Sequence, residues 1–425
     1  MTSPASESRS GNAYRTYVLI ILILVYIFNF IDRQILGILA SSIKAELNLT
    51  DTQLGLMGGI AFALFYTALG VPIAMLADRF NRTWIITVSL AIWSGFTALC
   101  GAATGFWQLF LCRLGVGVGE AGGVAPAYSL IADYFPPQQR ARALAVYSFG
   151  IPIGMALGVL FGGLIAHQIG WRWAFVICGL GGLALAPLLK LTVKEPVRGG
   201  LDGVAKKAPA ASLSAVLSLL VTKPSFWMLA LGASCSSIMG YGLAFWLPSF
   251  LERSHGLSLI DRSLFYGGIV LAGGIVGVWL GGSLGDKFGA RDKANYARVP
   301  ALAFIITVPL YALGVTVSDL TMAFLLFIVP TALALMWLGP TLSAVQHLVP
   351  ANMRATASAI FLFVNNLLGI GFGLWFLGLL SDMLRAEYGQ ESLRYSILYC
   401  LGFYALAALL FFLASKRLAR DWHRD

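Results

Sequence analysis

Long apolar runs separated by short polar segments dominate the chain. Twelve of them reach the roughly 20 residues that a helix needs to cross a hydrocarbon core. They cover 16–42, 53–77, 84–104, 106–131, 141–167, 172–193, 225–250, 263–285, 297–317, 320–347, 355–383 and 393–415. None shows the alternation of a barrel strand, so each predicts a helix. Glycine recurs inside the runs, 47 in all, and small residues let helices approach closely in lipid. One connection is longer than the rest. Residues 194–224, beginning KEPVRGGLDGVAKKAPAAS, are polar, basic and rich in Gly, Ala and Pro. They divide the chain into a six-helix bundle at 1–193, a linker at 194–224 and a second six-helix bundle at 225–425.

Composition sharpens this picture. Of the 425 residues, 58% are hydrophobic and 11% charged, against about 25% charged in soluble domains. A soluble fold could not cover so much apolar surface, so lipid is the natural solvent. The first fourteen residues are polar and Ser-rich, and the run that follows is too long for a signal h-region. It reads as a retained first span. The net charge of +10 does not point to nucleic acid, because no basic run is interleaved with aromatics on a polar segment. Its distribution instead sets the topology. With the N-terminus inside, twenty-one of the 29 Lys and Arg residues fall in inner segments and six in outer loops, while Arg33 and Arg113 lie within spans. By the positive-inside rule both termini and the linker are cytoplasmic, and the chain is a multi-pass protein of the cell (inner) membrane.

Five cysteines (100, 112, 178, 235 and 400) lie in apolar stretches without a CxxC pair, which is neither a metal-ligand nor a disulfide pattern. No HExxH, GxSxG or His–Asp cluster appears, so neither enzyme chemistry nor a metal or cofactor is expected.

The two halves repeat. DTQLGLMGG from Asp51 and DRSLFYGG from Asp261 share Leu three residues and Gly seven residues after the Asp. Asp78 in AMLADRFNR answers Asp286 in GGSLGDKFGAR, and PPQQRARA answers PANMRATA, with Pro four residues before Arg140 and Arg354. Parallel six-span repeats, together with these loops, resemble the major facilitator superfamily and its G-x-x-x-D-[RK]-x-G-[RK] signature. The second copy fits at Gly282, Asp286, Lys287 and Gly289, and the first carries Ala74 and Asn81 at the Gly positions. The resemblance implies inner gates in which Asp78 works with Arg140 and Asp286 with Arg354, a carboxylate being favoured at a helix N-terminus.

Four charged residues fall within spans: Asp32, Arg33, Arg113 and Glu120. Such residues are costly in lipid, face a cavity or pair, and mark function. Asp32 lies about 24 Å along span 1, at a depth similar to Arg113 in span 4. Glu120 is on nearly the same face of span 4, roughly 10 Å nearer the cytoplasm. Two partners are open to Asp32: Arg113 and the adjacent Arg33. Two acids at different depths separated by a cation have the form of a proton path. Apolar burial favours the neutral acid, and a nearby guanidinium favours the carboxylate. The run GVGVGE around Glu120 reads first as a packing face, and FGIPIGMALG as a tightly packed, kinked helix.

FNFIDRQILGIL in span 1 and RLGVGVGEAGGVAPAYSLIADYFPPQQRARALAVYSFGIPIGMALG across spans 4 and 5 closely resemble the spinster family of lipid transporters. The match is dense over 26–175. It implies a monomeric transporter that moves a lysolipid or sphingoid phosphate by alternating access, coupled to protons. Asp32 and Glu120 would then serve proton coupling, and Arg33, Arg113 and Glu120 substrate binding, guanidinium being suited to a phosphate headgroup. Bacterial transporters of small organic anions also carry an Asp-Arg pair in span 1. A proton symporter of a small organic anion or sugar acid is therefore the alternative. Ser234, Ser236, Ser237 and Trp337 in spans 7 and 10, without a charge, favour an amphipath.

Overall fold

The computed structural model describes residues 4–198, 212–289 and 291–423. Its helices in the first part of the chain are α1 (Pro4–Ile38), α2 (Ala40–Leu47), α3 (Asp51–Gly58), α4 (Ile60–Arg79), α5 (Arg82–Cys100), α6 (Phe106–Glu120), α7 (Val124–Tyr134), α8 (Pro137–Ser148), α9 (Gly150–Ile169) and α10 (Trp171–Thr192). The second part adds α11 (Leu213–Val221), α12 (Pro224–His255), α13 (Leu259–Gly289), α14 (Asn295–Thr316), α15 (Leu320–Leu335) and α16 (Leu338–His347). It ends with α17 (Arg354–Asn366), α18 (Gly373–Tyr388), α19 (Ser392–Cys400) and α20 (Gly402–Asp421).

Among the described residues, ten helical stretches are long and apolar enough to cross a membrane. The last, Thr356–Asp421, holds two spans, because the chain turns at Gly389 with φ 54°. Residues 106–134 supply the remaining span as two shorter helices, α6 and α7. Pro126 explains the interruption: it has no N–H for the Gly122 carbonyl, and its ring crowds the preceding turn. The second half repeats the device. The α15–α16 span breaks just before Pro340, at the same offset from Pro126 as Arg354 from Arg140.

Polar residues mark the ends. Asn81 accepts the Trp84 N–H to start α5 at 2.9 Å, and Asp319 accepts the Met322 N–H to start α15 at 2.7 Å. Thr50 and Gln53 close a reciprocal capping box on α3. These bonds satisfy donors that a helix start leaves open. Large apolar side chains such as Leu99, Trp107, Leu111, Leu180, Trp279, Leu302 and Ile305 are exposed on the spans, as expected of surfaces facing lipid.

The contacts group the chain into two compact units, Met1–Leu39 with Leu64–Lys206, and Ala40–Ala63 with Lys207–Asp425. In the first, α1 packs along α9, and α5 lies between α6 and α10. Glycine permits the α5–α6 approach: a Cβ on Gly119 would lie 2.5 Å from the Trp93 backbone nitrogen. The glycines before Glu120 are thus a packing face, as their spacing predicts. In the second unit, α20 packs on α12 and α14, α13 and α14 flank α15, and α3 lies against α18.

Candidate functional site

The first unit brings the four intramembrane charges together, three of them buried and Arg33 partly exposed. On α1, Asn29, Asp32 and Arg33 share one face at i, i+3 and i+4. Glu120 is the last residue of α6, held against α5 by the Gly119 contact, and Arg113 lies two turns earlier on the same helix. Asp32, Arg113 and Glu120 are 3%, 1% and 0% exposed.

The Arg33 guanidinium grips one carboxylate oxygen of Glu120. Its Nε donates to Oε2 at 2.9 Å, and Nη2 lies 2.8 Å from the same atom. Two rings hold the guanidinium in place, Tyr66 at 4.7 Å and Phe30 at 5.0 Å from centroid to Cζ. Such cation–π contacts strengthen where water is excluded. Asn29 and Arg113 also flank Glu120. Thr97 and Arg113 face Asp32, and the two carboxylates are near enough to act on each other. With both acids ionised, two carboxylates and two guanidiniums sum to no net charge, a balance that makes their close packing tolerable. It also creates a switch. Protonating either acid leaves a net positive cluster that favours an anion.

The sequence left Asp32 two arginines to choose from; one of them, Arg33, pairs with Glu120. Asn29 and Thr97 were missed, although Asn29 sits one turn before Asp32 on its face. Of the expected gate residues, the side chains of Asp78 and Asp286 lie outside the described residues, and so do their pairings. Arg140 on α8 donates its Nε to the Phe135 carbonyl at 3.0 Å, and Arg354 opens α17 half-buried.

A second charged cluster, also unanticipated, lies at the end of this unit that carries the N-terminus. Arg82, 1% exposed, donates Nε to Glu195 Oε1 at 2.7 Å and Nη1 to Ser129 Oγ at 2.8 Å, and also bonds Asp133. The other Glu195 oxygen accepts the Arg82 and Thr83 backbone N–H groups at 2.9 and 3.2 Å, capping α5. Read from sequence, Arg82 was one more inner-loop charge. Here it ties the start of α5 to the end of α7 and to the chain just after α10. Arg82→Lys keeps the charge but loses the fork. It is expected to cost about 1–3 kcal/mol, measurable as a lower midpoint of thermal unfolding in detergent.

Residues 22–374 match the family model described as Major Facilitator Superfamily. The fold superimposes with a TM-score of 0.87 on the crystal structure of a bacterial homologue of the human lysosomal transporter Spinster, in its inward-facing, unoccupied conformation. That match has 33% identity and covers 97% of this chain and 99% of the other. The chain is thus a membrane transporter of the major facilitator superfamily, all-α, with twelve membrane helices in two pseudo-symmetric six-helix bundles, and not an enzyme. It is 35% identical over 407 residues to an MFS-type efflux pump of Mycolicibacterium smegmatis, covering 94% of this chain and 92% of that one. It is 31% identical over 412 residues to human protein spinster homolog 1, covering 90% and 77%. Within the superfamily it belongs to the spinster family.

Proposed function

We propose that the chain is a proton-coupled secondary transporter that moves an amphipathic lipid, of the lysophospholipid or sphingosine-phosphate kind, by alternating access. The observation that carries this reading is the cluster of Asp32, Glu120 and Arg113, all buried, with the partly exposed Arg33 bonded to Glu120. A guanidinium released from its carboxylate is a ready partner for a phosphate headgroup. A carboxyl that loses its cation to a substrate becomes easier to protonate. Substrate and proton are then linked through the Arg33–Glu120 bond, with Asp32 and Arg113 completing the exchange. The proton-coupling role falls to Asp32 and Glu120, and the headgroup role to Arg33, Arg113 and Glu120. Asp78 with Arg140 and Asp286 with Arg354 would gate the inner side.

Kinship with the spinster family supports the lipid. So do Ser234, Ser237 and Asn365 in the middle of the second bundle's helices, which are uncharged. Ser237 donates to Asn365 at 2.8 Å and Ser234 to the Ala230 carbonyl at 2.8 Å. Such a surface suits an acyl chain better than a second charge would. We place the protein in the cell (inner) membrane as a monomer, with both termini and the 194–224 linker in the cytoplasm.

The test is flux in proteoliposomes with a labelled lysophospholipid or sphingosine phosphate under an imposed pH gradient. Uptake that follows the gradient supports the reading. No binding and no flux, from folded protein, would transfer the function to a small organic anion or sugar acid. In the same assay, Glu120→Gln replaces a titrating group by a fixed neutral one. The pH profile of flux is expected to lose the step that Glu120 supplies as pH falls; an unaltered profile would make Glu120 structural.

A further inference from the structure

The second unit holds another concentration of charge, at the end of its helices away from the termini. A cavity of about 440 Å³ there is lined by Ser41 and Lys44 of α2, Glu252 and Arg253 of α12, Arg385 of α18, and Gln390. Its cations outnumber the carboxylates available to them. Asp51, 1% exposed, serves two at once. It accepts both Arg253 Nη1 and Nη2 at 2.7 Å, and Lys44 Nζ at 2.5 Å. Neighbouring acids are committed elsewhere. Glu252 pairs with Arg262, and Glu391 with Ser254 and Arg394. Asp382 caps α3, accepting the Thr52 N–H at 2.7 Å and the Asp51 N–H at 3.2 Å. Burial pushes the Lys44 ammonium below its ordinary pKa; Asp51 opposes that, and Arg253 and Arg385 add to it. An anion in the cavity would relieve the crowding.

The frame around this charge is closely packed. A Cβ on Gly55 would lie 2.5 Å from the Leu374 carbonyl oxygen, and one on Gly378 would lie 2.4 Å from that of Asp51. These glycines let α3 pack closely on α18. Ser381 Oγ donates to Asp51 at 2.9 Å, fixing the carboxylate from below. Ser381 thus holds the acid, while the two long cationic side chains, each partly exposed, line the cavity.

We propose that this cavity is an anion site for a phosphate group, in which Lys44, Arg253 and Arg385 bind the ligand and Asp51 competes with it as a built-in carboxylate. The site is separate from the Asp32 cluster and takes phosphate either as the free ion or on a lipid headgroup. Guanidinium and ammonium groups converging from three elements match the several acceptor oxygens of a phosphate. The competing carboxylate keeps affinity modest, so a bound anion is released rather than trapped.

The test is calorimetric titration of the purified full chain in nonionic detergent, with inorganic phosphate in one arm and a short-chain monoacyl glycerophosphate in the other. Wild type is expected to bind. Arg385→Gln and Lys44→Gln should each weaken binding by about tenfold, and Asp51→Asn should tighten it several-fold, in line with loss or gain of a charge-assisted contact. Binding in both arms identifies phosphate itself as the ligand, and binding only of the glycerophosphate identifies a lipid headgroup. Arg385 is exposed, so its variant keeps the test open should Asp51→Asn fail to fold. Equal affinities in wild type and Arg385→Gln, or no binding in either arm, would overturn the proposal. The readout involves no flux, so its failure is distinguishable from failure of the lipid-transport reading.

Discussion

Replacing Arg33 by Leu is expected to destabilise the protein by about 3–5 kcal/mol, the usual cost of leaving one member of a buried ion pair behind. Glu120 is fully buried, and Arg33 supplies both charge-assisted bonds to its Oε2. The loss should be steep at neutral pH and shrink as pH falls, because protonation of Glu120 removes the stranded charge. Arg33→Leu combined with Glu120→Leu should regain most of the stability, since removing both partners leaves nothing unpaired. Thermal unfolding of the four proteins in detergent across pH measures the cycle. If the double variant is as unstable as Arg33→Leu alone, the cost comes from lost packing on Tyr66 and Phe30 and not from the pair. Tyr66→Leu separates that contribution, because it removes a ring and keeps both charges.

The spans were legible because the lipid solvent imposes long uniform runs, and the repeat because Pro and Asp recur at nearly constant offsets. The interruption of span 4 lay within reach of the sequence through Pro126, yet a hydropathy count passes over one proline in a run of apolar residues. The four intramembrane charges stood out by type alone. Which of them pair could not be read. Arg33 and Glu120 are 87 positions apart, and their bond depends on how α5 and α6 close together at Gly119. Arg82 and Asp51 were hidden for a related reason. Each looks like an ordinary loop charge until the fold brings Glu195 and Asp133 to the first, and Arg253, Lys44 and Ser381 to the second. Asp261, the repeat counterpart of Asp51, is exposed and accepts the Ser258 hydroxyl at 2.6 Å. Sequence symmetry at these two positions did not carry through to equal surroundings.

This contrast bears on how the molecule divides its labour. The first unit concentrates buried charge of both signs at mid-span. Among the described residues, the buried charges of the second unit, Asp51, Arg262 and Asp421, lie near helix ends. Ion pairs at the ends fix helix positions, where water lowers the cost of rearranging them. Ion pairs in the middle of an apolar bundle are expensive to break, so a change in their protonation has large structural leverage.

Asp32→Asn is expected to abolish gradient-driven flux while leaving the protein folded. Asn matches the shape of Asp, retains contact with Thr97 and Arg113, and removes the titrating proton. The cluster then carries one net positive charge for as long as Glu120 stays ionised on Arg33. Anion binding should persist or tighten, and only its coupling to pH should vanish. Substrate binding measured in detergent, beside uptake with and without a pH gradient in proteoliposomes, separates the two effects. Retained binding with uptake that no longer follows the gradient assigns coupling to Asp32. Wild-type uptake would remove Asp32 from the mechanism and leave Glu120, already bonded to the one arginine that two rings hold in place, as the remaining carrier of the proton.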